Sequence, residues 1–322
     1  MKINQDNGRS GNKIPSGSDV TNLHTLLDRL GAAVGGLVYR NHRFFSRCLE
    51  SVSLREAVPQ TKAPVTKLKT SGWQTVIAEG PAGTFETAYR VVQWTGDRAP
   101  VLLYIHGSGE NPRAFNRKAD NSFYKMFGKN PVPGMNTILL MAPFHEEGQG
   151  PYIRALGDMT NYVGMLASVT ALLDSLSSLL RRQGSPAIYA AGFSLGGWAL
   201  NLHRAFLGRG IDRYVPICAG AQISPIFTDS PYRVMIDPDA RRQCGTLRKL
   251  LDFEEAFTAN QSDNCHPMLF RYDQLVRLGD QAGAYRHMDL NITEKGHFTG
   301  QSDTEAMRRH ILASIGNPPL LP

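Results

Sequence analysis

The stretch Ala190-Ala-Gly-Phe-Ser-Leu-Gly-Gly-Trp-Ala-Leu200 decides how the rest of the chain is interpreted. Within it, Gly192-Phe-Ser-Leu-Gly196 fits the pattern G-x-S-x-G. The pattern has few fixed positions and also occurs by chance, so two interpretations stand at this point. Ser194 is either the nucleophile on a sharp strand-to-helix turn or the cap of a helix that follows a glycine-rich turn. The sequence on either side separates the two.

Short apolar runs alternate with stretches of helical spacing on both sides of this motif. Short, partly β-branched runs bounded by turns are typical of buried parallel strands. The predicted strands are residues 73–78, 86–94, 101–105, 137–141, 187–191, 214–218, 268–270 and 285–292, and the main predicted helices are 162–180, 198–206, 274–283 and 304–315. Such alternation predicts an α/β fold, with a doubly wound, mostly parallel sheet and helices on both faces.

The chain of 322 residues is long for one domain, but a single α/β domain with an extension accommodates it. Residues 1–20 are polar and rich in Gly, Ser and Asn, which predicts a flexible tail. Residues 21–64 are expected to form a helical extension that ends in a proline-containing linker from residue 57. The main domain is expected over 65–322, with a cap insertion at about 222–264 where the alternation breaks.

The strand-to-helix context favours a nucleophile at Ser194. A nucleophile on such a turn has strained backbone angles, so its neighbours must be small, and Gly192 and Gly196 meet that need. The amide of Leu195 begins the next helix, where N–H groups favour negative charge. A second amide for an oxyanion is expected in the turn His106-Gly-Ser-Gly109, with Ser108 as the first candidate and Gly109 as the alternative.

A general base and its orienting acid are expected after the last two strands. His297 lies in Glu294-Lys-Gly-His-Phe298, between the final predicted strand and the last helix. Asp273 ends the preceding strand, with Asp280 as a rival. The other candidates lie inside predicted elements, beside proline or in the insertion, and they are His266, His287, His310, Asp237, Asp239 and Asp252.

The order Ser194, Asp273, His297, preceded by the His-Gly turn, resembles the α/β-hydrolase superfamily over about residues 65–320. The resemblance implies a serine hydrolase that cleaves a carboxylic ester or thioester through an acyl-enzyme, without a metal or an organic cofactor. It implies Ser194 as nucleophile, His297 as base, Asp273 as its orienting acid, and the Leu195 and Ser108 amides as the oxyanion hole. His145 and Glu146, adjacent polar residues, are too little to predict a metal site.

Two other functions remain open at this stage. The same residues would serve an acyltransferase that passes the acyl group to an alcohol or amine, and a member of the fold without activity would serve binding or signalling. In the insertion, aromatic and apolar side chains either line an acyl pocket or pack the cap on the domain; they are Phe227, Tyr232, Met235, Phe253 and Phe257. The expected substrate is a small or lipid-like acyl compound.

Net charge, an apolar run and the cysteine spacing indicate which partners and which cell compartment to expect. The net charge is +7, but the basic residues are scattered, which argues against a nucleic-acid partner. The apolar run Leu30–Tyr39 is too short to span a bilayer, so the extension is expected to dock on the domain, with a peripheral membrane contact as the alternative. The cysteines form no C-x-x-C pair, which favours reduced thiols in the cytoplasm and leaves a bond between Cys244 and Cys265 open.

Overall fold

The computed structural model describes residues 22–116, 121–147 and 149–316, and the tail predicted for residues 1–20 lies outside them. The strands of its single sheet are β1 (Trp73–Gly80), β2 (Gly83–Gln93), β3 (Val101–Ile105), β4 (Asn136–Met141), β5 (Ile188–Phe193), β6 (Arg213–Ile217), β7 (Met268–Phe270) and β8 (Asn291–Thr293). The α-helices are α1 (Leu23–Val38), α2 (Leu54–Gln60), α3 (Gln149–Ala155), α4 (Met159–Arg182), α5 (Leu195–Phe206), α6 (Ser224–Thr228), α7 (Pro238–Arg242), α8 (Cys244–Leu251), α9 (Glu254–Ala259), α10 (Leu278–Gln281), α11 (His297–Ser302) and α12 (Thr304–Ile315).

The sheet has the strand order β1-β2-β4-β3-β5-β6-β7-β8. Strands β1 and β2 form an antiparallel hairpin, β2 runs antiparallel to β4, and the remaining pairs are parallel. The predicted α/β class with a mostly parallel sheet is therefore confirmed. Because parallel strands place their carboxyl ends at one edge, the loops that follow β3, β5, β6, β7 and β8 meet there.

Apolar burial explains why these runs form the centre of the sheet. Every residue of β3 and β4 is buried, as expected for strands covered on both faces. Helix α4 packs against the sheet, and it is the one helix in the described ranges that is long and apolar enough to cross a bilayer. Since 83% of its most apolar window is buried inside the protein, its environment is that of a core helix.

Helix α1 forms although three glycines lie within it. Asn22 and Thr25 cap its start reciprocally, with the Asn22 side chain accepting from the Thr25 amide. The glycines are needed where other side chains press on the helix: a Cβ at Gly31 would overlap the Phe298 ring, and one at Gly36 would lie 2.6 Å from Val234 Cγ2. Tertiary packing therefore outweighs the low helix propensity of glycine.

Three local predictions differ from the structure. The linker expected from residue 57 begins inside α2, which is capped by Ser53 and buries Leu54, Ala57 and Val58 in spite of Pro59. The helix expected over 274–283 is reduced to α10 and a 3₁₀ turn over Ala282–Tyr285. The strand expected over 285–292 is reduced to β8, because the Tyr285 side chain is buried and its hydroxyl donates to the Ala219 carbonyl, 3.1 Å away.

The region 222–264 contains short helices, α6 to α9, and a 3₁₀ turn over Pro231–Val234. Its apolar residues divide between the two roles that the sequence left open. Phe227, Tyr232 and Met235 line a pocket that also contains Ser194. Phe253 and Phe257 are fully buried instead, against Trp198, Phe206 and Tyr285. The segment after β4 contributes Gln149 and Tyr152 to the same pocket.

Helix α5 lies unusually close to the strands on either side of it. A Cβ at Gly196 would overlap the Ile105 carbonyl at the end of β3, and one at Gly197 would lie 2.7 Å from the Ala219 side chain. A Cβ at Gly192 would lie 2.6 Å from the Gly196 carbonyl carbon. Since most of these obstacles are backbone atoms, which yield less readily than side chains, glycine is required by packing.

Replacing Gly196 with alanine tests this close approach. We expect Gly196→Ala to lower the free energy of unfolding by about 1–3 kcal/mol, because the added methyl group forces α5 away from β3. Gly245→Ala is the matched control: no atom lies within 4 Å of its Cβ position on α8, so alanine should be neutral or stabilising there. Urea denaturation measures both, and equal stability of Gly196→Ala and the wild type would contradict the packing described.

Candidate active site

Ser194 occupies a strained turn between β5 and α5. Its backbone angles are φ 50° and ψ −109°, a conformation that costs a non-glycine residue on the order of 1–3 kcal/mol. Ser194 stands at the cap position of α5, yet its side chain makes no capping hydrogen bond. The interpretation of Ser194 as a capping side chain is therefore wrong, and the residue lines a pocket instead.

The residues whose amides were predicted to bind an oxyanion line the same pocket as Ser194. Leu195 begins α5 and lines the pocket, as does Ser108 in the turn after β3. The alternative donor, Gly109, is engaged elsewhere, because its amide donates to His145 Nε2 at 3.2 Å. Of the two candidates in this turn, Ser108 is the one that lines the pocket with Ser194, and Gly109 does not.

Two buried histidines hold this turn in place. His106 accepts from the Ala142 amide at Nε2 (3.1 Å), and its Nδ1 lies 2.8 Å from the Gly107 carbonyl oxygen. His145 likewise places Nδ1 2.8 Å from the Pro143 carbonyl oxygen, and its ring lies 4.5 Å from that of His106. Burial lowers the pKa of both, that of His145 to about 4, so both are neutral near pH 7. Their ring nitrogens serve the backbone, which leaves no reason to assign a metal to His145.

Asp273 and His297 lie together after β7 and β8. His297 Nδ1–H donates to Asp273 Oδ2 at 2.8 Å, and both side chains are buried. Asp273 Oδ1 accepts from the amides of Leu275 and Val276, each at 2.7 Å. These two bonds hold the carboxylate in place. The rival Asp280 pairs with Arg277 instead, at 2.7 Å.

The remaining candidates lie elsewhere. Asp252 binds the amide and the hydroxyl of Ser224, and His310 Nε2 lies 3.0 Å from the His266 carbonyl oxygen. His287 is exposed beside Arg286. Asp237 caps α7 by accepting from the Asp239 amide. These rivals thus lie in structural or surface positions, whereas Ser194 and His297 line one pocket and Asp273 is hydrogen-bonded to His297.

Asp28 is a residue of the site that the sequence did not indicate. It lies on α1, is fully buried, and accepts from three backbone amides: Oδ2 from Gln274 (3.0 Å) and His297 (2.8 Å), and Oδ1 from Phe298 (3.1 Å). Asp28 thereby joins α1 to the Asp273 loop and to the start of α11. The one acidic side chain of α1 was the available signal, but its partners lie 246 to 270 positions away in sequence.

Charges around the imidazole set its basicity. Burial lowers the pKa of His297, but the charge of Asp273, the hydrogen bond from Nδ1 and the charge of Asp28 outweigh it, so the net shift is upward. The pKa of Asp28 is itself raised, first by burial and then by the nearby charge of Asp273, while the His297 charge and its amide partners oppose the rise. Two carboxylates thus favour the protonated form of one buried imidazole.

Cys218 is the second residue that the sequence missed. It follows β6 with a positive φ of 56°, its thiol donates to Asp273 Oδ2 at 2.8 Å, and Sγ lies 3.3 Å from His297 Nδ1. Burial raises the pKa of this thiol well above its ordinary value, so it is uncharged. Candidate metal-ligand atoms of Cys218, Asp273 and His297 lie within 4.8 Å of one another, but their mutual hydrogen bonds already use them. All cysteines are free, and Cys244 does not pair with Cys265.

The pocket above Ser194 measures about 770 Å³ and is mainly apolar. A volume of this order suits a small-molecule site. One wall comes from α1, another from the insertion, and a third from α11, and the apolar side chains involved include Leu27, Leu30, Val34, Val38, Ile226, Phe227, Met235 and Phe298. The N-terminal extension is therefore part of the pocket and does not merely precede the domain.

No protein-family model matches the sequence, and none of the curated proteins does. Solved structures are similar to it. An acetyl xylan esterase from Paenibacillus sp. R4 is 17% identical at a TM-score of 0.50, over 91% of this chain and 95% of its own. A protein from Agrobacterium vitis S4, named as a hydrolase, is 15% identical at a TM-score of 0.51, over 77% of this chain and 100% of its own.

This chain spans only 41% of the length of an acylaminoacyl peptidase from Pyrococcus horikoshii, which is 14% identical at a TM-score of 0.48 over 77% of this chain. At these identities the similarity concerns the fold alone. Together with the sheet order and the turn at Ser194, the similarity to the esterase and to the Agrobacterium vitis protein shows that this chain has the α/β-hydrolase fold, as the sequence resemblance implied.

Proposed function

We propose that the protein is a serine hydrolase that cleaves a carboxylic ester or thioester with an apolar acyl group. The observation that carries the proposal is the arrangement of a strained, uncapped Ser194 and the hydrogen-bonded pair His297–Asp273 around one apolar pocket. The neighbouring amides of Leu195 and Ser108 support it. The pocket walls favour an acyl chain over a charged substrate, because a charge buried there would lack a partner.

In the first half-reaction, Ser194 Oγ attacks the substrate carbonyl carbon while His297 Nε2 takes the hydroxyl proton. The carbonyl oxygen becomes an anion that the Leu195 and Ser108 amides stabilise. When the tetrahedral intermediate collapses, the bond to the leaving alcohol or thiol breaks, and His297 gives that group the proton. Asp273 holds Nδ1–H throughout, which leaves Nε2 free to accept and return the proton.

In the second half-reaction, water replaces the leaving group. His297 takes a proton from the water, whose oxygen attacks the acyl carbon, and the proton then returns to Ser194 as the carboxylic acid departs. The electron pairs stay within these bonds, so the cycle needs neither a redox partner nor a metal ion. The protein therefore contributes the positioning of the substrate, a general base and two amide donors for the oxyanion.

Labelling with a fluorophosphonate probe tests the nucleophile. We expect the wild type to label covalently and Ser194→Ala to lose labelling, together with a loss of ester hydrolysis on the order of 10⁶-fold in kcat. Ser71→Ala is the matched control and should label as the wild type does, because Ser71 is exposed and lies outside the pocket. Labelling of Ser194→Ala, or none of the wild type, would rule out Ser194 as nucleophile.

The pH dependence of hydrolysis tests the base. His297 must be neutral to accept the Ser194 proton, so kcat/KM falls as pH falls through its pKa. Because the pKa of His297 is raised, the midpoint of this acid limb should lie above 6.5. Rates measured with a soluble p-nitrophenyl ester across pH locate the midpoint, and a limb clearly below 6.5 would contradict the charges described.

Asp28 is proposed as a positioning residue for His297. The groups that face the imidazole are Asp273, Asp28 and the uncharged thiol of Cys218. Asp28→Asn removes one of the two negative charges and one acceptor for the amides, while it keeps the shape of the side chain. We therefore expect the acid limb of kcat/KM to move to lower pH, with a decrease in kcat of about tenfold, since the His297 loop loses an anchor.

The control for this variant is Asp280→Asn, which removes a nearby carboxylate that pairs with Arg277. It should leave the acid limb unchanged. A loss of activity in Asp28→Asn without any movement of the limb would mean that Asp28 serves folding only. This result is distinct from failure of the hydrolase proposal, which the labelling of the wild type reports separately.

A further inference from the structure

Helix α1 places an unusual amount of apolar surface in solvent. Within the described ranges, seven of the nine large apolar side chains found exposed lie on α1, and an eighth, Val234, packs beside it where Gly36 leaves room. They are Leu23, Leu26, Leu27, Leu30, Val34, Leu37 and Val38, each between 37% and 68% exposed. Contiguous patches of this kind are rare on a monomer and mark interaction surfaces.

The helix divides into three faces. Thr25, Asp28 and Ala32 face the protein and are buried. Leu27, Leu30, Val34 and Val38 line the pocket and form its opening. Leu23, Leu26 and Leu37 recur at helical spacing on a third face, line no part of that pocket and are 57–68% exposed. The outward apolar face therefore borders the entrance to the pocket.

The exposed charges of the segment that contains α1 are basic. Between residues 22 and 49 the sole carboxylate is Asp28, which is buried under the helix. The basic residues of the same segment and of the adjoining 3₁₀ turn include Arg29, Arg40 and Arg233, which are exposed. One exposed carboxylate, Glu294, lies near His24 at the start of α1, and it already pairs with Arg271. An apolar helix face whose own segment carries exposed arginines and no exposed acid is complementary to anionic lipid headgroups over acyl chains.

We propose that this face of α1 docks onto an anionic phospholipid surface, with the opening of the pocket against the membrane. Leucines of the outward face insert among the acyl chains, and the arginines bind the headgroups. The two contributions act together, since apolar insertion alone or charge alone gives weak, reversible binding. This proposal concerns binding and stands independently of the role of Ser194.

Sedimentation of the full chain with vesicles tests the proposal. We expect binding to vesicles of equal parts phosphatidylcholine and phosphatidylglycerol, much weaker binding to phosphatidylcholine alone, and a decrease at raised salt. Leu26→Glu with Leu37→Glu should lower the partition coefficient at least tenfold, because carboxylates on the outward face oppose both contributions. Arg40→Gln and Arg233→Gln should each lower it about fivefold, which corresponds to about 1 kcal/mol.

The matched control is Ile77→Glu, which places the same charge on an exposed apolar residue of β1, away from α1. It should bind as the wild type does, and circular dichroism melting checks that every variant is folded. Equal binding to both vesicle types, or no effect of the double glutamate variant, would overturn the proposal. So would a wild type that ignores vesicles but forms a dimer in the ultracentrifuge that the double variant abolishes, because a second copy would then cover the face.

Discussion

The close approach of α5 to the strands beside it is the constraint on which the arrangement of the site depends. Gly196 and Gly197 let α5 pack against the Ile105 carbonyl and the Ala219 side chain. The turn at Ser194 therefore lies at the carboxyl end of β5, which stands between β3 and β6 in the sheet. The parallel register of these strands brings the loops with Ser108, Cys218, Asp273 and His297 to the same edge. The backbone strain at Ser194 is therefore offset by the packing of α5 against the neighbouring strands.

Neutral and charged groups are kept apart within this edge of the sheet. On one side, His106 and His145 are buried and neutral, and their ring nitrogens are hydrogen-bonded to the backbone of the turns around Ser108. On the other side, the imidazole of His297 lies near two carboxylates that raise its pKa. Histidine thus serves as a neutral support at positions 106 and 145 and as a titrating group at position 297, because only His297 has carboxylates close to its ring.

Features of the fold and of the site that depend on residues close in sequence could be predicted, and those that depend on residues far apart in sequence could not. The buried strands, the turn at Ser194 and the pair Asp273–His297 follow from local patterns, since each residue stands directly after an apolar run. The helix expected over 274–283 and the strand expected over 285–292 were overestimated. The strand is short because the buried Tyr285 hydroxyl donates to the distant Ala219 carbonyl, a contact that local patterns do not show. Asp28 and Cys218 were missed for the same reason: their importance lies in partners brought close by the fold alone.

Asp28 also explains why a helix with so much exposed apolar surface holds its position. Its carboxylate is buried beside Asp273, a placement that is unfavourable at rest and that raises the pKa of Asp28. Three backbone amides offset part of that cost. If His297 becomes positively charged during the reaction, both carboxylates stabilise it, so the interaction is stronger in the transition state than in the resting protein. The same carboxylate also fixes α1, a helix that lines the pocket, against the start of α11, so one buried side chain holds both a pocket wall and the backbone of the base.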